Sequence, residues 1–344
     1  MDEYPLRINS PSPSLSLSFR RGAKTKRWYD VDLIPTKTFA PIEDSGHPVC
    51  IALDNTTSEY LVSACQSNVS IFKVDRPPDD GSVPPVLFTE FTSPPNDSVV
   101  DVSWFPYDNG LIISSSHTGK VRLWESAFLR TIDTIDLKEN VYCHTMSKRL
   151  STRHSSLAVA REHGVSLLDV FTGTAMQTLS TGRIRPRSLL WDEYNEFCLF
   201  GGLEDGSILQ WDIRRPTAQV VIPPGRGKCA VNQLNLMGAD VLVYTTEDGF
   251  LNSARSRNGE LVWRSELEFE CCAGFKAAII DDTSFPMIVL PFAENVIAFN
   301  LDDGTQAWTK PCLGFEADSI VYNPNRSELY VLQGSTSVVH GFCI

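Results

Sequence analysis

The octet Ile208-Leu209-Gln210-Trp211-Asp212-Ile213-Arg214-Arg215 carries the sharpest chemical signal in the sequence. A β-prone run ends there in an acid and two arginines, so Arg214 and Arg215 stand just past the end of a strand. A guanidinium offers a planar fork of donors that matches carboxylates and carbonyls. The chemistry this predicts is recognition of a partner, with Trp211 and Asp212 fixing the turn from below. Bond-making chemistry needs other patterns. Neither a G-x-S-x-G elbow nor a P-loop occurs among the 344 residues, and these are the devices that present a nucleophile or cradle a phosphate. The six histidines, His47, His117, His144, His154, His163 and His340, fall at neither H-x-x-x-H nor H-x-H spacing, so no local zinc site is expected. The expectation is a non-catalytic protein with no metal and no cofactor.

Nine cysteines include the vicinal pair Cys271-Cys272 but no C-x-x-C. An odd number without ligand or framework spacing fits reduced thiols in cytosol or nucleus. The formal charge of -12 sets up a field that repels phosphate backbones, so no direct nucleic-acid binding is expected and any link to DNA runs through other proteins. No stretch approaches the roughly 20 apolar residues that span a bilayer. Met1-Asp2-Glu3 opens the sequence without an apolar h-region, so neither export nor membrane insertion is expected.

The strand that ends at Asp212 belongs to a repeat. Gly119-Lys120-Val121-Arg122-Leu123-Trp124 has the same form, and its tryptophan lies two steps of about 43 residues before Trp211. Midway, Gly164-Val165-Ser166-Leu167-Leu168-Asp169 puts Leu168 in the tryptophan place. Continuing the step reaches Ala254, Phe299 and Phe342, and one upstream copy ends at Phe72. Its gap to Trp124 is lengthened by Arg76-Pro77-Pro78-Asp79-Asp80-Gly81 and Pro94-Pro95-Asn96. Each copy opens with alternating runs such as Val99-Val100-Asp101-Val102-Ser103-Trp104, then a turn and a second strand such as Gly110-Leu111-Ile112-Ile113.

Seven such copies predict an all-β fold, a seven-bladed WD-repeat β-propeller whose anchors fill the spaces between blades. The repeats are degenerate: a turn aspartate stands at Asp205 and Asp248, but Thr118, Glu162 and Ala293 replace it elsewhere. The last copy lacks an outer strand. The β-prone segment Arg27-Trp28-Tyr29-Asp30-Val31-Asp32-Leu33-Ile34 is expected to supply it and close the ring. An N-terminal arm, 1–26, and a propeller, 27–344, follow.

The octet resembles the WDxR signature of receptors that attach to the large adaptor subunit of the damage-specific DNA-binding protein, itself bound to cullin-4. Further stretches resemble the Cockayne syndrome group A family: Val102–Gly110, Ser114–Ser116, Glu139–Ser147 and Ser151–His154, with weaker likeness at Phe275-Lys276 and Ser327–Tyr330. This resemblance implies a nuclear substrate receptor of a cullin-4 ubiquitin ligase in transcription-coupled nucleotide excision repair, with ubiquitin transfer on other subunits. The implied partners are the adaptor with cullin-4, a Swi2/Snf2-type repair ATPase, RNA polymerase II and other repair factors.

The same family enters a cleft of the adaptor with an N-terminal helical segment. Here Leu15, Leu17 and Phe19 can serve as apolar anchors, and the basic cluster Arg20-Arg21-Lys24-Lys26-Arg27 reads either as a solvated arm or as adaptor-facing and nuclear-import charge. Pro11 and Pro13 confine any helix to about Ser14 onward. The expected adaptor-binding set is therefore Arg214, Arg215, Trp211, Asp212, Leu15, Leu17, Phe19, Arg20 and Arg21. A general WD scaffold for chromatin or signalling complexes, without ligase attachment, is the alternative. Asn258-Gly259-Glu260-Leu261-Val262-Trp263 and Asp303-Gly304-Thr305-Gln306-Ala307-Trp308 resemble the docking motif of quinoprotein propellers. An Asp-Gly-type turn followed by a packing tryptophan accounts for them without a quinone.

Overall fold

A computed structural model describes residues 33–39, 48–66, 68–74, 86–91, 97–147, 156–215, 217–224, 229–267, 276–281, 286–311, 314–333 and 338–343. These residues form seven four-stranded antiparallel sheets and, among them, no helix. Blade 1 runs from Pro48–Leu53 to Val86–Phe91, blade 2 from Val99–Trp104 to Arg130–Asp136, and blade 3 from Val141–Met146 to Thr174–Leu179. Blade 4 runs from Pro186–Trp191 to Ala218–Ile222, blade 5 from Val231–Met237 to Leu261–Glu266, and blade 6 from Ala278–Ile280 to Gln306–Pro311. Blade 7 takes three strands, from Ala317–Asn323 to Val339–Cys343, and its fourth is Ile34–Phe39 from the other end of the sequence.

Burial along a blade explains its residues. Second strands such as Ser156–Arg161 and Cys198–Leu203 are covered on both faces, whereas the outer strand Arg130–Asp136 is largely exposed. A sheet packed between two neighbours needs apolar or small side chains on both faces, so alternation disappears there. Six of the expected anchors lie in the cores between their own blade and the preceding one: Phe72, Trp124, Leu168, Trp211, Ala254 and Phe299. Phe342 is likewise fully buried in blade 7. The chain is therefore a seven-bladed WD-repeat β-propeller, fastened by its N-terminal strand.

The closing strand falls later than the alternation predicted. It starts at Ile34 and ends at Phe39, opposite Cys343 and Val339, with a bulge between Pro35 and Lys37. Of the expected segment only Leu33 and Ile34 are described; Arg27 to Asp32 lie outside the described residues. Pro35 is tolerated because an outermost strand pairs on one side only, and a bulge absorbs its missing donor.

Gly201 gives the packing a direct test. A Cβ there would stand 2.6 Å from Trp211 Cζ3 and 2.7 Å from its Cη2, and the buried indole is tied by Nε1 to the Ser180 carbonyl at 3.3 Å. Gly201→Ala is expected to cost about 1–3 kcal/mol in urea denaturation, the usual range for overpacking. Adding Trp211→Phe, which vacates that space, should make the glycine change cheaper than it is alone.

Candidate docking site

Turns between the first and second strands, and between the third and fourth, lie at one end of each blade. In blade 4 this end carries Arg214. Its backbone N–H donates to Asp212 Oδ1 at 3.0 Å, Nε donates to the same oxygen at 2.9 Å, and Nη2 donates to Oδ2 at 2.7 Å. The Arg215 N–H closes the turn on the Asp212 carbonyl at 2.7 Å. Phe197, from the neighbouring turn, puts its ring 4.3 Å from the guanidinium carbon. The side chain is still 61% exposed. With five donors on a guanidinium, further N–H groups remain for a partner, and a side chain already held in place loses less freedom on binding.

Asp212 and Arg215 thus shape the turn. Trp211 is fully buried between blades 3 and 4, so it offers a partner no surface and acts only as the footing of the strand below. Leu15, Leu17, Phe19, Arg20 and Arg21 lie outside the described residues.

Hydrogen bonds from Arg214 push the Asp212 carboxyl down to about 2. A carboxylate with a depressed pKa keeps its partner as pH falls until it takes up a proton near that lowered value. The Arg214 Nε–H resonance is therefore expected to hold its position from neutral pH to about 3 and to shift only near pH 2. A midpoint near 3.9, the ordinary value for aspartate, would mean that the fork is not formed in solution.

The Trp-Asp-x-Arg motif stands on one blade, but blade 3 repeats its turn. In blade 3, Asp169 Oδ1 accepts from the N–H groups of Phe171 at 3.0 Å and Thr172 at 3.4 Å, so Phe171 takes the place of Arg214. It is 65% exposed, as is Phe128 in the matching turn of blade 2. Tyr194 stands exposed in the first turn of blade 4, where Asp192 accepts its N–H at 2.7 Å. The available sequence signal was a large apolar residue inside a turn, where polar residues dominate.

A second cluster lies where the inner strands meet. Asp101 of blade 2 accepts from Lys276 Nζ at 2.5 Å and from the His144 backbone N–H at 3.1 Å. Lys276 precedes the inner strand of blade 6, and its carbonyl accepts from Ile320 of blade 7 at 3.0 Å. The pair therefore joins blades 2 and 3 to blades 6 and 7. Burial works against a charged Asp101, yet Lys276 and His144 outweigh it and hold the carboxyl below its ordinary pKa. Burial likewise opposes the Lys276 charge, and Asp101 restores it, leaving the ammonium pKa raised.

Ser103 lies 2.8 Å from His144 Nε2, and Ser115 lies 2.9 Å from Nδ1. Asp101 is 3.8 Å from Nδ1, beyond hydrogen-bond reach, so these residues do not form the oriented relay of a nucleophilic triad. Burial lowers the His144 pKa and pushes the Cys50 thiol up to about 12. The cluster is a set of neutral or paired groups suited to holding the ring. Among the described residues, no group of three His, Cys, Asp or Glu side chains is placed to hold a metal ion.

Fold and turn together define a WD-repeat propeller that presents preorganised side chains on a rigid frame. Particular relatives sharpen this. No family model matches the chain. It is similar to the WD repeat-containing protein ATCSA-1 of Arabidopsis thaliana, with 29% identity over 210 residues, covering 58% of this chain and 46% of that protein. The chain thus spans about half the length of this curated relative. The crystal structure of Chaetomium thermophilum Raptor is similar in fold, with a TM-score of 0.74 and 12% identity, over 91% of this chain and 29% of that one.

Proposed function

We propose that this chain is the substrate receptor of a cullin-4 ubiquitin ligase in transcription-coupled nucleotide excision repair. In this role it attaches to the large adaptor subunit of the damage-specific DNA-binding protein and acts in the nucleus. A Swi2/Snf2-type repair ATPase, RNA polymerase II and other repair factors are its further partners, and catalysis resides on other subunits. The observation that carries this is the Arg214 fork, held out on its own turn in a Trp-Asp-x-Arg setting. The likeness to ATCSA-1 supports it, as does the family resemblance of the stretches between Val102 and Arg215. The opposite end of the blades has a cavity of about 360 Å³, lined by residues including Gln66, His117, Tyr142, Arg187 and Asn232, which leaves a separate surface for substrates.

The test is affinity purification from nuclei with the parent chain and with Arg214→Ala. Adaptor and cullin should accompany the parent, and Arg214→Ala should weaken adaptor capture by roughly tenfold or more without lowering Tm. A parent chain that retains other partners but never adaptor or cullin belongs to the general scaffold class. Undiminished adaptor capture by the variant removes Arg214 from the interface.

A further inference from the structure

We infer that the docking surface is an arc of equivalent turn tips, in which exposed Phe128 and Phe171 extend the Arg214 contact across blades 2 and 3, fitting an apolar ridge on the adaptor. This rests on the reading of Arg214 above and adds to it.

The argument begins with position. Phe171, Arg214 and Arg257 each stand three residues past the anchors Leu168, Trp211 and Ala254, and Phe128 stands four past Trp124. Because each anchor is fixed between blades, these side chains leave the same turn on four consecutive blades. Asp169 and Asp212 hold the blade 3 and blade 4 tips by the same bond to the tip's backbone N–H.

Composition comes next. Phe128 and Phe171 are the only phenylalanines among the exposed large hydrophobic residues described, and both fall on this arc. Phe171 is steadied edge-on by the buried Phe105, with ring centroids 5.8 Å apart, so the ring is presented on a fixed base. Aromatic side chains with little freedom to lose are the residues that dominate interface affinity.

Charge then sets the direction. Arg214 and Arg257 occupy the other half of the arc, and Arg257 is 84% exposed with Nε 3.4 Å from Asp240. In a chain of net charge -12, these tips favour carboxylates or carbonyls at one end of the partner's ridge. Asp192, Glu193 and Glu196 stand in the adjoining turn of blade 4, so the attraction is local to the arginine tips and the apolar tips carry most of the affinity.

The experiment measures purified adaptor subunit binding to the parent chain and to four variants by biolayer interferometry. These are the double variant Phe128→Ser/Phe171→Ser, the single variants Arg214→Ala and Arg257→Ala, and Val220→Ser. Val220 is 57% exposed on the outer strand of blade 4 and away from the arc, so it serves as the control. The double variant should weaken binding roughly tenfold or more, mainly through faster dissociation, while still melting in one cooperative transition well above the assay temperature; Val220→Ser should bind like the parent.

Parent-like binding by the double variant, with loss in Arg214→Ala, overturns the arc and leaves the Arg214 reading standing. Loss in the double variant alone supports the arc and removes the role given to Arg214. A parent chain that does not bind the adaptor overturns both.

Discussion

Replacing Lys276 by methionine will destabilise the ring by about 2–4 kcal/mol at neutral pH, the order expected when one partner of a buried ion pair is removed. The cost comes mainly from what is left behind. The Asp101 side chain is 7% exposed, and without the ammonium its charge keeps only weaker partners. The Lys276 side chain is 35% exposed, so water already screens part of the pair's attraction and the loss falls below the upper end for such pairs. Adding Asp101→Asn should recover most of the loss, because the carboxylate charge that needed a partner is gone.

The pH dependence has a definite sign. Asp101 has a lowered folded pKa in the parent, so its contribution is present above the unfolded value and is lost as pH falls through the folded one. In the Lys276→Met variant, burial acts without the cation and the carboxyl pKa rises. The variant's deficit should therefore be larger at pH 7 than at pH 5, where Asp101 can accept a proton. Urea midpoints and slopes of parent, single and double variants at both pH values provide the check. A loss that is equal in single and double variants and constant with pH would assign Lys276 a packing role only.

Most of the fold was legible because the repeat is written in buried residues. Trp124, Leu168, Trp211, Ala254 and Phe299 differ in size, yet each fills the space left by the preceding blade. Spacing therefore persisted where residue type did not. The degenerate turn of blade 2 has a different explanation that no local motif carries. Thr118 stands where blade 4 has Asp205, which bonds the Ser207 N–H at 3.0 Å and its hydroxyl at 2.6 Å. In blade 2 the carboxylate comes instead from Asp97, ahead of the inner strand, which binds Thr118, Arg122 and, at 3.2 Å, Lys120.

The site was legible only in part, for the same reason. Asp212 and Arg214 are two residues apart and bond each other locally, so their motif survives in a short window. Asp101 and Lys276 are 175 positions apart and have no shared period; only closure of the ring brings them together. Phe128 and Phe171 were hidden because their turns follow Trp124-Glu125 and Leu168-Asp169, neither of which is a Trp-Asp pair. What relates Phe128, Phe171 and Arg214 is their place in each blade, not a shared local motif.

Removing residues 1–39 will uncouple blade 7 and lower stability by several kcal/mol, whereas removing residues 1–32 will leave the transition close to that of the parent. The comparison isolates Ile34–Phe39, whose antiparallel pairing with Val339–Cys343 is, among the described residues, the sheet contact joining the two ends of the sequence. Each backbone hydrogen bond contributes about 1 kcal/mol net, and five residue pairs are in register across this seam. The larger effect is cooperative. Without that strand, Val339–Cys343 becomes an open edge, and the core shared by Val339, Tyr330 and Leu332 with Leu61 and Phe72 of blade 1 loses its outer support.

Because the lost element is a single extended segment, it should work when supplied separately. A synthetic peptide of residues 33–39 can add to the vacant edge by the same main-chain pairing, and saturating amounts should raise the melting temperature of the 40–344 chain. A scrambled peptide of equal composition should not, because it places different side chains on the two faces at each register position. If the 40–344 chain melts like the parent, the seam is dispensable. If both truncations are equally unstable, the stabilising residues lie before position 33 and the closing role passes to them.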